Sequence, residues 1–92
     1  MSMAEHPPFN HGDILAWQGA PVLVLSTPWI EERGAHFHHK WVARVTYLRK
    51  FENLTCEAGQ VLPSFNIEGK EPWTNVLTDD EFALAARMLL NV

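Results

Sequence analysis

Ala35-His36-Phe37-His38-His39-Lys40-Trp41-Val42-Ala43-Arg44-Val45-Thr46-Tyr47-Leu48-Arg49-Lys50-Phe51 is the stretch from which the architecture of the chain is read. Counting by twos, Phe37, Trp41, Ala43, Val45 and Tyr47 fall on one side, and His36, His38, Lys40, Arg44, Thr46 and Lys50 on the other. That is the alternation of a strand. On a helical period the same apolar residues scatter around the cylinder, and a run this rich in β-branched and aromatic side chains suits a pleated surface. The segment is expected to be one long strand whose dry side closes a core and whose wet side offers histidines and cations to a partner.

Upstream, Gly12-Asp13 opens Ile14-Leu15-Ala16-Trp17, Gln18-Gly19 reads as a tight turn, and Pro21-Val22-Leu23-Val24-Leu25-Ser26 is a continuous apolar run of the kind found in strands covered on both faces. The two runs are expected to form a hairpin. Residues 1–10, with Pro7 and Pro8 and no periodicity, read as a flexible arm ahead of a single domain spanning 11–92. Thr27 to Gly34 reads as a loop that carries Trp29 and Ile30. Downstream, Glu57-Ala58-Gly59 is a reversal, and Gln60 to Ile67 a weak strand with Val61, Phe65 and Ile67 on one side and Leu62 on the other. Pro63 has no N–H for the ladder, which makes that strand an edge or a bulged one. A last short strand is expected over Trp73 to Leu77.

The C-terminal signals are local and specific. Thr78 and Glu81 have the spacing of a capping box, Leu77 and Phe82 that of a hydrophobic staple, and Asp79 and Asp80 suit the positive end of a helix dipole. A helix is expected over 79–91, docking through Phe82, Ala85, Ala86, Met88 and Leu89. Short strands separated by turn signals and closed by one helix define a mainly β class, a small curled antiparallel barrel of about five strands.

With 92 residues, 47% of them hydrophobic and 20% charged, the chain suits one domain with a core of its own. The single Cys56 cannot form an internal bridge, so a reducing compartment and a cytoplasmic location are expected. No stretch approaches the roughly 18 apolar residues of a membrane span. A formal charge of −4 argues against binding nucleic acid by charge alone, yet five cations and no acid lie between Arg33 and Lys50. A locally positive strand face can meet an anionic partner.

Three chemistries are open. In the first, the face is a non-catalytic binding surface built from His36, His38, Lys40 and Arg44, with Trp29 and Trp73 as exposed aromatic contacts and a protein as partner. In the second, His36 and His38, about 7 Å apart on one strand face, converge on a metal ion with a third ligand that the spacing does not select. In the third, a histidine base with a cation for the phosphate cleaves RNA without a metal. No serine nucleophile signature, phosphate loop or cofactor motif accompanies them, and no cofactor is expected.

Gly12-Asp13-Ile14 and Pro21-Val22-Leu23-Val24-Leu25-Ser26, in that order and followed by a helix near the end, resemble the opening of PemK/MazF-type toxins. The likeness covers about a fifth of the chain. It implies an SH3-like barrel and metal-independent endoribonuclease activity, with Arg44 and Thr46 as equivalents of the family's site residues; the histidine base of the third chemistry, His38, completes that candidate site. The family's longer Arg-bearing loop is replaced here by Trp17-Gln18-Gly19-Ala20, and its Pro-x-Thr-like segment by Arg44-Val45-Thr46. The leading expectation is a small cytoplasmic binding or regulatory protein of bacterial or phage type. Its alternatives are a reduced ribonuclease and a His-x-His metal protein, and both the Pro63 edge strand and the Leu-rich helix permit a homodimer.

Overall fold

Among the described residues of the computed structural model there are six strands and one helix: β1 Ile14–Trp17, β2 Ala20–Val24, β3 Trp29–Arg33, β4 His38–Tyr47, β5 Val61–Asn66, β6 Glu71–Pro72 and α1 Asp79–Leu90. The structure describes residues 6–33, 38–51 and 55–91, with Arg33 and His38 through their backbone alone.

The Gln18-Gly19 turn has positive φ at both residues, 50° and 79°, as a two-residue turn matching the twist of a hairpin requires. It closes the hairpin expected from the sequence, in a register that sets Ile14 opposite Leu23 and Trp17 opposite Ala20. Every residue of β2 is buried.

β4 is the spine of the sheet. One of its edges carries β2, with Val24 opposite Val45, and then β3, with Trp29 opposite Val42. Four residues, 25–28, thus face two, 43 and 44, in a wide bulge held by Leu25 N–H to the Arg44 carbonyl at 2.7 Å and Arg44 N–H to Ser26 Oγ at 3.0 Å. The segment read as a loop over 27–34 is therefore a strand through most of its length. Glu31-Glu32-Arg33 hid it, because charged residues are depleted in strands and leave no apolar alternation to see.

The other edge of β4 carries β5. Its register slips between Ala43 opposite Phe65 and Val45 opposite Leu62, so Pro63 and Ser64 together face Arg44. Proline forecasts that bulge, and the bulge overturns the expected faces of the strand. The extra residue resets the alternation, so Leu62 and Phe65 both pack on the core while Val61 is exposed.

Two apolar clusters lie on opposite sides of the sheet. On one, Ala43, Val45 and Tyr47 meet Leu15, Val22, Val24 and Ile67, with Trp17, Trp41 and Phe65 at the margin. Phe9, within the segment read as a flexible arm, belongs to this cluster. On the other side, Leu23, Leu25 and Leu48 meet Leu84 and Ala85 of α1, with Ile14, Leu77 and Met88 partly buried against them. The run 21–25 is covered on both faces because the helix supplies the second cover.

The mainly β class with a single C-terminal helix is as the sequence indicates, in an antiparallel sheet of order β3-β4-β2-β1-β6 with β5 on β4. The sheet is curled: β1 and β5 stand three strand spacings apart, roughly 14 Å if flat, yet the rings of Trp17 and Phe65 meet edge to face with centroids 5.7 Å apart. Closure into a barrel is not carried by a ladder among the described pairings; β5 reaches β6 through the chain over 67–70.

Two boundaries are corrected. The long strand, described from His38, ends at Tyr47, the chain bends at Leu48 and Arg49, and Phe51 makes an isolated bridge to Cys56. Ala35, His36 and Phe37 lie outside the described residues. The last strand is Glu71–Pro72 rather than 73–77, although Trp73 N–H still donates to the Ile14 carbonyl at 2.9 Å.

The helix starts at the expected cap, with Thr78 Oγ1 accepting from Glu81 N–H at 3.1 Å and Glu81 Oε1 accepting from Thr78 N–H at 3.0 Å. Its docking stripe differs from the expected one. Glu81, Leu84 and Ala85 are buried and Met88 partly so, while Phe82 and Ala86 face outward.

Candidate functional site: the open face of β3, β4 and β5

Residues opposite each other in an antiparallel ladder share a face. Trp29 opposite Val42 and Glu31 opposite Lys40 therefore place Trp29, Glu31, Lys40, Val42 and Arg44 on one side of the sheet. This is the side that α1 covers over Leu23 and Leu48. Beyond the helix end the face is open. Arg44 and Trp29 are exposed, and a hollow of about 380 Å³ between sheet and helix is lined by Leu25, Arg44, Val61, Met88 and Asn91.

The expected cationic character is corrected by β3. Glu31 stands opposite Lys40, and Ser64 Oγ donates to Glu31 Oε2 at 3.0 Å. Lys40 Nζ lies 3.7 Å from Glu68 Oε2. The sequence segment had no acid, but neighbouring strand and turn bring two to it. Nor is the face wet throughout, since Val42, Thr46 and Leu48 on the same parity are buried. Arg44 is different: among the described residues no acid lies within ion-pair distance of it, whereas Lys40, Arg49 and Lys50 each have one.

Of the nominated residues, Trp29, Lys40 and Arg44 are thus brought together. Trp73 is not among them. It sits near the helix start, where the Arg49 guanidinium lies 5.4 Å from its ring centroid, and its Nε1 is buried with no hydrogen-bond partner among the described residues. His36 lies outside the described residues and His38 is placed only by its pairing with Arg33, so the two-histidine metal reading falls on positions whose side chains are not described. Among the described residues no group of three His, Cys, Asp or Glu is close enough to hold a metal ion. Thr46 is fully buried, and its hydroxyl donates to the Gln60 carbonyl at 3.0 Å.

Arg49 and Glu81 form a pair that sequence reasoning did not single out. Arg49 Nε donates to Glu81 Oε2 at 2.7 Å, and the Glu81 side chain is 6% exposed against 44% for Arg49. The bond from Arg49 holds the Glu81 carboxyl below its ordinary range, outweighing the opposing effect of burial, with the Thr78 backbone adding in the same direction. The capping spacing accounts for Glu81 locally; nothing in the sequence links it to a residue thirty-two positions away. The hollow beside Arg44 was also invisible, because Met88 and Asn91 reach it only through helix docking.

Comparison of the chain with profiles of protein families, with curated proteins and with solved structures finds no match in any of the three. The likeness of Gly12-Asp13-Ile14 and Pro21–Ser26 to PemK/MazF-type toxins stands on those residues alone. Among the described residues no helix is long and apolar enough to cross a membrane.

Proposed function

We propose that the protein is a small non-catalytic binding protein of the cytoplasm that engages a protein partner through the open face bearing Trp29, Lys40 and Arg44. The observation that carries this reading is Arg44, an exposed guanidinium without an acid partner among the described residues, at the rim of a hollow it shares with Leu25, Val61, Met88 and Asn91. A carboxylate of the partner completes the missing pair, and a planar guanidinium suits that geometry better than an ammonium does. Trp29, 37% exposed on the same face, supplies the apolar contact.

The test compares proteins retained from a host lysate by immobilised wild type, Arg44→Ala and Trp29→Ala. A partner of this face is retained by wild type, lost from both variants, and released by salt. Retention by all three removes the face from the interaction. The ribonuclease alternative is tested in the same preparation, by incubating single-stranded RNA in chelator; cleavage that disappears in Arg44→Ala would replace the binding reading.

A further inference from the structure

We infer that the corner between the Trp17 and Phe65 rings is a binding site for a trimethylated lysine side chain of a partner protein, occupied in the free molecule by the chain's own Lys70. The two rings stand at 81° with centroids 5.7 Å apart. One is carried by the end of β1 and the other by β5, across the seam that no ladder closes among the described pairings. A cation is seated between them: Lys70 Nζ lies 4.7 Å from the Trp17 centroid and 5.6 Å from that of Phe65. Both distances fall within the roughly 6 Å over which the negative face of an aromatic ring attracts positive charge. The corner therefore holds a cation already, and admits the four-carbon stem that carries it.

Lys70 is poorly matched to the place. An ammonium is strongly hydrated and carries three N–H donors, whereas the corner gives it one acceptor, the Glu68 carbonyl at 3.4 Å. The Glu68 carboxylate turns instead to Lys40, and among the described residues no acid lies within ion-pair distance of Lys70. Ring faces without a carboxylate suit a cation that has no N–H to satisfy and holds water weakly. A trimethylammonium group meets both conditions, which is why aromatic walls recognise it. Lys70 yields at small cost: it is half-buried, it follows Gly69 in a turn with φ 73°, and it has one long hydrogen bond to break. Trp17 and Phe65 stay in place, since both pack against the core. The walls are formed in advance, and self-occupancy sets how much of the site is open to an outside cation.

The experiment is a titration of the isotope-labelled full chain with N-acetyl-trimethyllysine amide at fixed ionic strength, followed through the indole N–H signals in proton–nitrogen correlation spectra. The four tryptophans give four such signals, and Trp17→Phe assigns the one at the corner. The trimethylated probe is expected to shift the Trp17 signal saturably, and an uncharged analogue with a tert-butyl group in place of the trimethylammonium to leave it unmoved. Lys70→Ala should bind the probe about two- to fivefold more tightly than wild type, while Lys50→Ala, which removes an equal charge from the pair with Glu57, changes nothing. Phe65→Leu keeps an apolar side chain against the core and removes one wall, so binding falls at least about threefold; the other indole signals, unmoved, show that the fold is kept. A Trp17 signal that ignores the probe in both wild type and Lys70→Ala overturns the inference, as does an equal response to the uncharged analogue or unchanged binding by Phe65→Leu. Equal affinity of wild type and Lys70→Ala overturns the self-occupied arrangement. Phosphocholine binding more tightly than the lysine probe overturns the assignment to a protein side chain in favour of a lipid headgroup. None of these residues lies on the Trp29–Arg44 face, so the outcome is independent of partner binding there.

Discussion

Arg49 Nε and Glu81 Oε2 lie 2.7 Å apart and fasten the bend after β4 to the first turn of α1. Glu81 is used twice, since its other oxygen accepts from Thr78 N–H within the capping box. One carboxylate therefore joins a local helix signal to a tertiary contact.

Replacing Glu81 by Ala is expected to cost about 2 kcal/mol, because cap and ion pair are lost together and a cation is left without its partner. Arg49→Met removes only the pair, and since Arg49 is 44% exposed the loss is held to about 1 kcal/mol by solvent screening. A double-mutant cycle by urea unfolding should return a coupling of that order. A coupling of zero would mean the contact contributes no net stability.

Acid should act through the same residue. The folded-state pKa of Glu81 is lowered from 4.5, so the carboxylate contributes stability that is full above that ordinary value and is lost as pH falls through the lower, folded one. The gap in unfolding midpoint between wild type and Glu81→Gln should therefore be widest near neutrality and shrink below about pH 4.5. A constant gap down to acid pH would show that charge is not what the pair supplies.

Tyr47 offers a spectroscopic check at the opposite end of the scale, since it is the only tyrosine. Burial raises its pKa above 10.0, and Cys56 beside it adds to the shift by charge and by hydrogen bonding. Its protonated form therefore contributes stability that is complete below 10.0 and lost as pH rises through the folded value. Phenolate absorbance should rise at higher pH in the native protein than in urea. Cys56→Ser should change the native midpoint and leave the denatured one alone.

The first hairpin can be tuned through its turn. Gly19 has φ 79°, so Gly19→Ala should cost about 1 kcal/mol. Gln18 has φ 50°, a left-handed value that Asn tolerates better, and Gln18→Asn should gain a few tenths of a kcal/mol. Thermal midpoints would register both, with opposite signs.

What the sequence revealed was what neighbours along the chain determine. Thr78 and Glu81 are three residues apart, Gln18 and Gly19 adjacent, and Pro63 announces a bulge by its missing N–H. What it hid depends on which strands meet. Glu31 is an unremarkable loop residue until the ladder sets it against Lys40, and only then does a cationic stretch become a mixed face. The stripe on α1 misled for a similar reason. Hydrophobicity nominated Phe82 for the interior, whereas Glu81 is buried because Arg49 waits across the interface. At the candidate site, Arg44 was legible by its parity on β4, but its lack of an acid partner among the described residues and the hollow beside it required the helix end and β5 to be in place.

Because Val42, Val45 and Thr46 have partners on both edges of β4 while β6 holds β1 through two residues, deuterium should enter the molecule unevenly. Amides of β6 are expected to exchange early and those in the middle of β4 last, near the rate set by whole-molecule opening. The seam between β5 and β6, which no ladder closes among the described pairings and which ring contacts alone bridge at Trp17 and Phe65, is then the place where solvent first breathes into the fold.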